Sequence, residues 1–304
     1  MGELAVQQVP GNLSAIQGMT QEELFELTGQ TREEPMGNLL PRLRTNYQAE
    51  FVEDTASDED DADPISLPLG KYRIDVKPEG ADKYITAFCK KPVFRPYIRG
   101  YRYSAYDKEN EEVALTTSVF KRWGDTVIDD LGHEFIAKKY KVNMVKINPA
   151  YITQDLKLQC ATILYGTVTM TDATDMHGNS VEVVNLPCMW YNKGASFMPI
   201  AEVLDEAINK DKAYYLDTIT LSNKREKKGE VTYFIAGGKW SGGNDPLDAD
   251  GAALLRSFQE TITADNKEIY TKFQGSMAKK SNDDIAKKLS SGSMEDDLND
   301  SVGI

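Results

Sequence analysis

The sequence predicts a mainly β chain of the α+β class, with a β-rich core followed by a helix and an acidic tail. Across 68–240, short segments rich in Tyr, Val, Ile and Thr alternate apolar with polar residues between polar turns. This alternation is typical of half-buried strands, and many strands of moderate length favour a barrel or a sandwich. Residues 249–275 instead repeat their apolar residues at helical spacing.

The elements follow in order along the chain. Predicted strands cover 71–76, 83–88, 93–106, 112–120, 141–147, 157–170, 181–191, 213–221 and 231–238. Predicted helices cover about 124–138, 199–210 and 249–275, the last with a potential break at Thr263–Asn266. The predicted regions are a polar, acidic leader and linker (1–63), a β core (64–248) that could split into two subdomains near 150, the helix (249–275), and a flexible linker with the acidic tail (276–304).

The net charge of −13 is unevenly distributed along the chain. Residues 53–63 carry seven acids and no base, and 295–304 carry four acids and no base, whereas 64–294 sum to +2. Blocks of like charge repel themselves and cannot form a core, so we expect both acidic segments to be disordered. Such segments serve solubility, or they screen a cationic groove until a polyanion arrives.

The most informative window is 83–103, which contains six basic side chains, six aromatic ones and no acid. Single-stranded nucleic acid offers phosphates to cations and base faces to aromatic rings, so this composition favours a sequence-tolerant binder. Under strict alternation, Arg95, Tyr97, Arg99, Tyr101 and Tyr103 share one face, unless a bulge at Gly100 shifts it. The competing interpretation is that the tyrosines are ordinary half-buried strand residues.

Smaller clusters repeat this chemistry between predicted elements. The candidate DNA contacts are Lys90, Lys91, Arg95, Tyr97, Arg99, Tyr101, Arg102, Tyr103, Lys121, Arg122, Trp123, Lys138, Lys139, Lys224, Arg225, Lys227, Lys228, Tyr233, Lys239 and Trp240. The sequence predicts a flexible hairpin tip at Lys224–Gly229 and a mobile loop at Gly237–Gly243. A further candidate group of low specificity is Trp190, Tyr191, Lys193 and Phe197.

The spacing of residues argues against several other site classes. The three cysteines and two histidines, Cys89, His133, Cys160, His177 and Cys188, include no pair at zinc-ligand spacing. The Gly-rich stretch 237–243 lacks the P-loop pattern, and 245–250 lacks the Gly and closing Glu of an EF-hand. We therefore expect a binding protein without cofactor or metal rather than an enzyme. No apolar run reaches membrane-spanning length, and the few cysteines suit a reducing cytoplasm.

A basic, aromatic β core that leads into a helix and the acidic segment MEDDLNDSVGI resembles the single-stranded DNA-binding proteins of phage replication. The resemblance is architectural, covers about 71–304, and matches no motif residue by residue. It implies an OB-fold core, here with insertions, that binds the strand. It also implies an acidic tail that competes with DNA and recruits a polymerase, helicase or primase. The tail-like residues are Glu295, Asp296, Asp297, Leu298, Asp300 and Ile304.

Two departures from that family are visible. The chain closes on Val302-Gly303-Ile304, where bacterial members end in Pro-Phe, and it lacks the ligand spacing of the zinc-binding phage members. The expected function is sequence-independent single-stranded DNA binding in replication, recombination or repair, in the cytoplasm of a host cell if the source is a phage. A viral structural or assembly protein is the alternative, and a magnesium-dependent nuclease is a third reading that lacks a compact acidic-plus-lysine signature.

Overall fold

One mixed β-sheet is the centre of the described part of the chain. A computed structural model describes residues 40–46, 51–52, 65–77, 83–107, 112–138, 158–242 and 246–290. The strands are β1 Arg42–Thr45, β2 Phe51–Val52, β3 Ile65–Ser66, β4 Tyr72–Val76, β5 Ile85–Cys89, β6 Val93–Asp107, β7 Glu112–Thr116, β8 Thr126–Ile128, β9 Glu134–Ile136, β10 Leu158–Met170, β11 Val183–Asn192, β12 Ile219–Lys228 and β13 Val231–Trp240. The described helices are α1 Phe197–Asn209 and α2 Ala249–Ser290, with 3₁₀ turns at Gly194–Ser196 and Tyr214–Leu216.

The sheet has nine strands in the order β13-β12-β6-β10-β11-β1-β4-β5, and β7 adds a further pairing to β6. β1 runs parallel to β11, and the other neighbours are antiparallel. The long strands β6 and β10 pair over nearly their whole length and form the centre of the sheet. Two short ribbons, β2–β3 and β8–β9, lie outside it.

The described strands do not close into a barrel, because β13 and β5 lie at opposite ends of the pairing order. The sheet is nevertheless curled, because side-chain hydrogen bonds join β12 to β4 and the turn before it. The Tyr72 hydroxyl donates to the Ser222 carbonyl at 3.0 Å, and the Asn223 amide donates to the Gly70 carbonyl at 2.9 Å. The mainly β prediction with a C-terminal helix is confirmed, whereas the OB-fold stays a prediction.

Alternation along the strands gives the sheet two faces with different coverings. The inner face holds the largest core, which includes Leu43, Leu164 and Trp190 together with Ile200 and Leu204 of α1. The outer face is the opposite one. There Ile163, Tyr165 and Met189 pack against Phe258 and Ile262 of α2. A third cluster packs the far end of β6 on the β8–β9 ribbon. Part of the outer face beyond α2 remains open, and the candidate site lies there.

The helix predicted at 124–138 is wrong, because β8 and β9 occupy that segment. Gly132 between them has a φ of +79°, a conformation that favours glycine and ends any helix. The buried carboxylate of Asp129 accepts the backbone N–H groups of Leu131 and His133 at 3.0 and 2.8 Å, which fixes a tight turn. Turn chemistry therefore overrides the helix-like spacing of the apolar residues.

The other helix predictions are confirmed, with changes at their ends. α1 covers Phe197–Asn209, close to the predicted 199–210. α2 begins at the predicted Ala249 but continues to Ser290 without the break predicted at Thr263–Asn266. The Thr263 hydroxyl donates to the Gln259 carbonyl one turn earlier, at 2.8 Å, and thereby stays within the helix.

Several strand predictions are confirmed, and others move. β4, β5, β6, β10, β11 and β13 fall within a few residues of the prediction, whereas the strand predicted at 213–221 begins only at Ile219, after a 3₁₀ turn. The strand predicted at 141–147 and the subdomain split near 150 lie outside the described residues. β1 falls inside the predicted polar leader, although it is an interior strand of the sheet.

Candidate nucleic-acid interface

A basic groove of about 450 Å³ lies on the open part of the outer face. It contains five cations from separate parts of the chain: Arg42 and Arg44 on β1, Arg73 on β4, Arg102 on β6, and Lys193 just after β11. The remaining lining residues are Leu43, Thr45, Ser104, Val113, Thr116, Ala161 and Tyr191. We refer to this set as the basic groove.

Alternation explains why these arginines point the same way. Leu43 is buried in the inner core, so its neighbours Arg42 and Arg44 must point to the outer face. Tyr72 and Ile74 are likewise buried in that core, which turns Arg73 between them outwards. The structure brings Arg44 directly opposite Arg73 in the β1–β4 pair.

Placing like charges directly opposite each other is destabilising in an antiparallel pair. The Arg44–Arg73 pair therefore breaks a local rule of sheet stability, and such exceptions tend to occur at functional sites. Arg42 and Arg44 are both exposed to solvent.

Tyr191 is the aromatic residue of the groove and lies between two of its arginines. The guanidinium carbon of Arg42 is 4.6 Å from the centre of the Tyr191 ring, which is cation–π distance. Arg102 donates from Nη1 to the Tyr191 hydroxyl at 3.4 Å. The arrangement offers a stacked Arg–Tyr surface beside further cations of the groove.

The basic surface continues into a smaller pocket of about 180 Å³ towards β5. Arg42, Arg44 and Arg73 line it together with Asp75 and Thr86, and the Thr86 hydroxyl donates to the Asp75 carboxylate at 2.7 Å. Asp75 adds a negative charge at this end. The concentrated positive charge therefore lies in the larger groove, towards Arg102 and Lys193.

The tyrosines of the predicted binding strand lie in the core instead. Tyr97, Tyr101 and Tyr103 are only 7%, 5% and 2% exposed. The centres of the Tyr101 and Trp123 rings are 4.4 Å apart, and the Tyr103 hydroxyl donates to the Lys138 carbonyl at 2.7 Å. Burial raises the pKa of Tyr101 to about 12. In this conformation none of these rings can stack on a base.

The prediction that five residues of β6 share one face is also wrong. Arg99, Tyr101 and Tyr103 face the inner side, whereas Tyr97 packs on Phe258 of α2 on the outer side. The register shifts opposite Gly166, not at Gly100. A Cβ at Gly166 would lie 2.2 Å from the Arg95 carbonyl oxygen, so only glycine allows the strands to approach this closely.

The arginines of this window differ in what they contact. Arg95 donates from Nε to the Tyr215 carbonyl at 2.7 Å, and Arg99 forms an ion pair with Asp205 of α1 at 2.7 Å. Both arginines are therefore engaged inside the fold. Arg102 is the member of the window that reaches the basic groove.

The other predicted cations are spread over the surface. Lys90 and Lys91 are exposed in the turn before β6, Lys121 and Arg122 are exposed before β8, and Lys138 is exposed after β9. Trp123 is half-buried against Tyr101, and the Lys121 ammonium donates to Gln259 of α2 at 2.8 Å. Lys139 lies outside the described residues. None of these side chains lines the groove.

The predicted hairpin tip at Lys224–Gly229 is mostly strand. Lys224, Arg225, Lys227 and Lys228 all belong to β12 and are exposed, and only Gly229, with a φ of +64°, and Glu230 form the turn. Lys224 pairs with Glu226 at 2.6 Å, and Tyr233 is half-buried across from Glu226. The segment is therefore a basic two-stranded ribbon with a two-residue turn.

The predicted mobile loop at 237–243 is also wrong in its first half, because 237–240 belong to β13. Lys239 is exposed, but the Trp240 indole donates to the Val203 carbonyl at 2.7 Å and packs against the inner core. Trp240 therefore anchors α1 to the sheet. The tail residues Glu295, Asp296, Asp297, Leu298, Asp300 and Ile304 lie outside the described residues.

The predicted contacts do not include Arg42, Arg44 and Arg73. The alternation in RLRT and YRIDV could have indicated them, because it places each arginine on the face opposite the apolar residues. Tyr191 and Lys193, a low-specificity candidate in the sequence, both line the groove, whereas their neighbour Trp190 is buried. What the sequence could not show is that β1, β4 and β6 meet on one face.

No family model, curated protein or solved structure matches this chain. In the described part of the chain, no group of three or more potential ligand side chains is arranged to hold a metal ion. No helix there is both long and apolar enough to cross a membrane. The functional conclusion therefore depends on the groove itself.

Proposed function

We propose that this chain is a sequence-independent single-stranded DNA-binding protein that acts in replication, recombination or repair. The observation that carries the proposal is the basic groove, which is lined by four arginines, one lysine and Tyr191. Sequence-tolerant single-strand binders combine a cationic groove for the backbone with aromatic or arginine surfaces for the bases. The Arg42–Tyr191 stack supplies the second element.

The groove also has the dimensions and the chemistry of a backbone-reading site. Its volume of about 450 Å³ lies within the range of small-ligand sites, about 300–1,000 Å³. That is the scale of a short stretch of nucleotide chain rather than of a folded partner. Arginine binds phosphate through two parallel N–H donors. No Asn or Gln is among its described lining residues, and these are the residues that read adenine.

The double variant Arg44→Ala/Arg73→Ala tests the proposal. Fluorescence anisotropy with a labelled oligo(dT) at several salt concentrations gives the affinity and its salt dependence. Losing two phosphate contacts should make the slope of log K against log salt shallower by about 1.4, at about 0.7 per contact. Arg256→Ala is the matched control, because Arg256 is exposed on α2 and does not line the groove.

An unchanged slope in the double variant would reject the groove as the binding site. Failure of the unmodified chain to bind oligo(dT) at low salt would reject the function itself. The second case would favour the alternative, a viral structural or assembly protein, which has no need for a phosphate-binding groove. The OB-like character of the core and recruitment of replication enzymes by the acidic tail remain parts of the proposal that need their own tests.

A further inference from the structure

Arg102 differs from the other groove arginines because a carboxylate of α2 already holds it. Its Nη2 donates to a carboxylate oxygen of Asp265, and its Nη1 donates to the Tyr191 hydroxyl. The Arg102 side chain is 11% exposed, and that of Asp265 is 32% exposed. Nε of Arg102 is buried without a hydrogen-bond partner in the described structure. The guanidinium thus lies at the groove wall with part of its donor capacity unused.

Contacts other than this ion pair also dock α2 on the sheet. The next residue, Asn266, already ties the helix to the sheet side through both of its amide atoms. Its oxygen accepts the Val119 N–H at 2.6 Å, and its nitrogen donates to the Val119 carbonyl at 2.9 Å. Phe258 and Ile262 of the same helix are buried in the outer core. Asp265 is therefore set in position by its neighbours and remains partly open to solvent.

A carboxylate and a phosphodiester oxygen offer a guanidinium group the same kind of charged acceptor. We propose that Arg102 is a phosphate subsite of the basic groove, and that Asp265 occupies it as an internal phosphate mimic until nucleic acid displaces the carboxylate. This inference rests on the proposed function of the groove. Asp265 has only two side-chain torsions, so it can rotate away while Asn266 keeps the helix in place.

The subsite has a consequence for affinity. A fixed negative charge on Arg102 lowers the positive potential of the groove within a Debye length, about 10 Å at 0.1 M salt. Removing the charge should strengthen binding, provided that Asp265 competes with phosphate. If Asp265 instead orients Arg102 towards the phosphate, removing it should weaken binding. The sign of the change therefore separates the two roles.

The experiment compares Asp265→Asn with Asp205→Asn. Asp205 pairs with Arg99 on the inner side of the sheet, so the control makes the same change in an Arg–Asp pair away from the groove. Anisotropy titration with oligo(dT) should show about three- to tenfold tighter binding for Asp265→Asn. The slope of log K against log salt should stay the same, because Arg102 neutralises a phosphate in both complexes. Asp205→Asn should leave the affinity unchanged.

Two further measurements complete the test. In an Arg102→Ala background, Asp265→Asn should no longer raise the affinity beyond the effect of its charge at a distance. Asp265→Ser, a second way to remove the charge, should behave like Asp265→Asn, and thermal melting checks that each variant is folded. Unchanged or weaker binding in both folded Asp265 variants would overturn the inference. That result leaves the proposed function standing if Arg44→Ala/Arg73→Ala still weakens binding.

Discussion

Replacing Tyr101 by alanine should destabilise the fold without weakening nucleic-acid binding by the folded fraction. Tyr101 is 5% exposed and packs among Phe120, Trp123 and Phe197 in the cluster that joins β6 to the β8–β9 ribbon. Truncating a buried aromatic residue to alanine typically costs about 3–5 kcal/mol. At about 2–4 °C per kcal/mol for a chain of this size, the melting temperature should fall by roughly 6–20 °C.

Tyr84→Ala is the matched control, since Tyr84 belongs to the same basic, aromatic window but is 70% exposed. Its substitution should change stability by no more than about 0.5 kcal/mol. Calorimetry or circular dichroism gives the melting temperatures, and anisotropy at a temperature where both variants are folded gives the affinity. A Tyr101→Ala protein with an unchanged melting temperature and much weaker binding would show that the ring contacts the bases, and the core assignment would be wrong.

Three further predictions concern salt, the tail and pH. Each phosphate neutralised in the groove should add about −0.7 to the slope of log K against log salt, so its five cations set a limit near −3.5. A slope near zero would contradict an electrostatic site. Deleting 295–304 should tighten binding to oligo(dT) mainly at low salt, because competition by the acidic segment is least screened there. The deletion should leave the melting temperature unchanged. Unchanged or weaker binding at low salt would refute the competition between this segment and DNA. Burial raises the pKa of the Cys160 thiol from 9.0 to about 12. The stability that the buried neutral thiol contributes is therefore complete below about pH 9 and is lost as the pH rises towards 12. Urea titrations of the unmodified protein and of Cys160→Ala across that range measure the contribution, and parallel pH profiles for the two would contradict it.

Much of the fold follows from local pattern. β10 and β11 appear where apolar and polar residues alternate, and α1 appears where the spacing becomes helical. The segment around Gly132 shows the limit of this reasoning, because its apolar residues also fit a helix. The hydrogen bonds of the Asp129 carboxylate and the positive φ of Gly132 instead stabilise a turn between two short strands.

The site was only partly predictable, because the covering of each face of the sheet depends on distant elements. The cations and aromatics of 83–103 have the composition of a binding surface, but other elements pack on both faces of β6. α2 covers Tyr97 on the outer face, and the cluster at the β8–β9 ribbon covers Tyr101 and Tyr103 on the inner face. Arg102 is the member of that window that reaches the groove. Sequence alone does not show which elements will pack on each face of a strand.

The groove arginines could not be predicted because long-range strand pairing brings them together. Arg42 and Arg44 lie in a segment whose polar and acidic surroundings predict a leader, and Arg73 lies in an ordinary alternating strand. They become a site only because β1 inserts between β11 and β4 and lays Arg44 opposite Arg73. Such long-range pairing depends on tertiary contacts that local periodicity does not contain.

The most direct test of the account is to locate the bound strand by photocrosslinking. An oligonucleotide that carries 5-iododeoxyuridine is irradiated on the protein, and the crosslinked peptides are identified by mass spectrometry. The account predicts a crosslink at Tyr191, the aromatic residue of the basic groove, and its loss in Arg44→Ala/Arg73→Ala. Crosslinks confined to the β12–β13 ribbon or to the 121–123 segment, with none at Tyr191, would place the strand elsewhere and contradict the account.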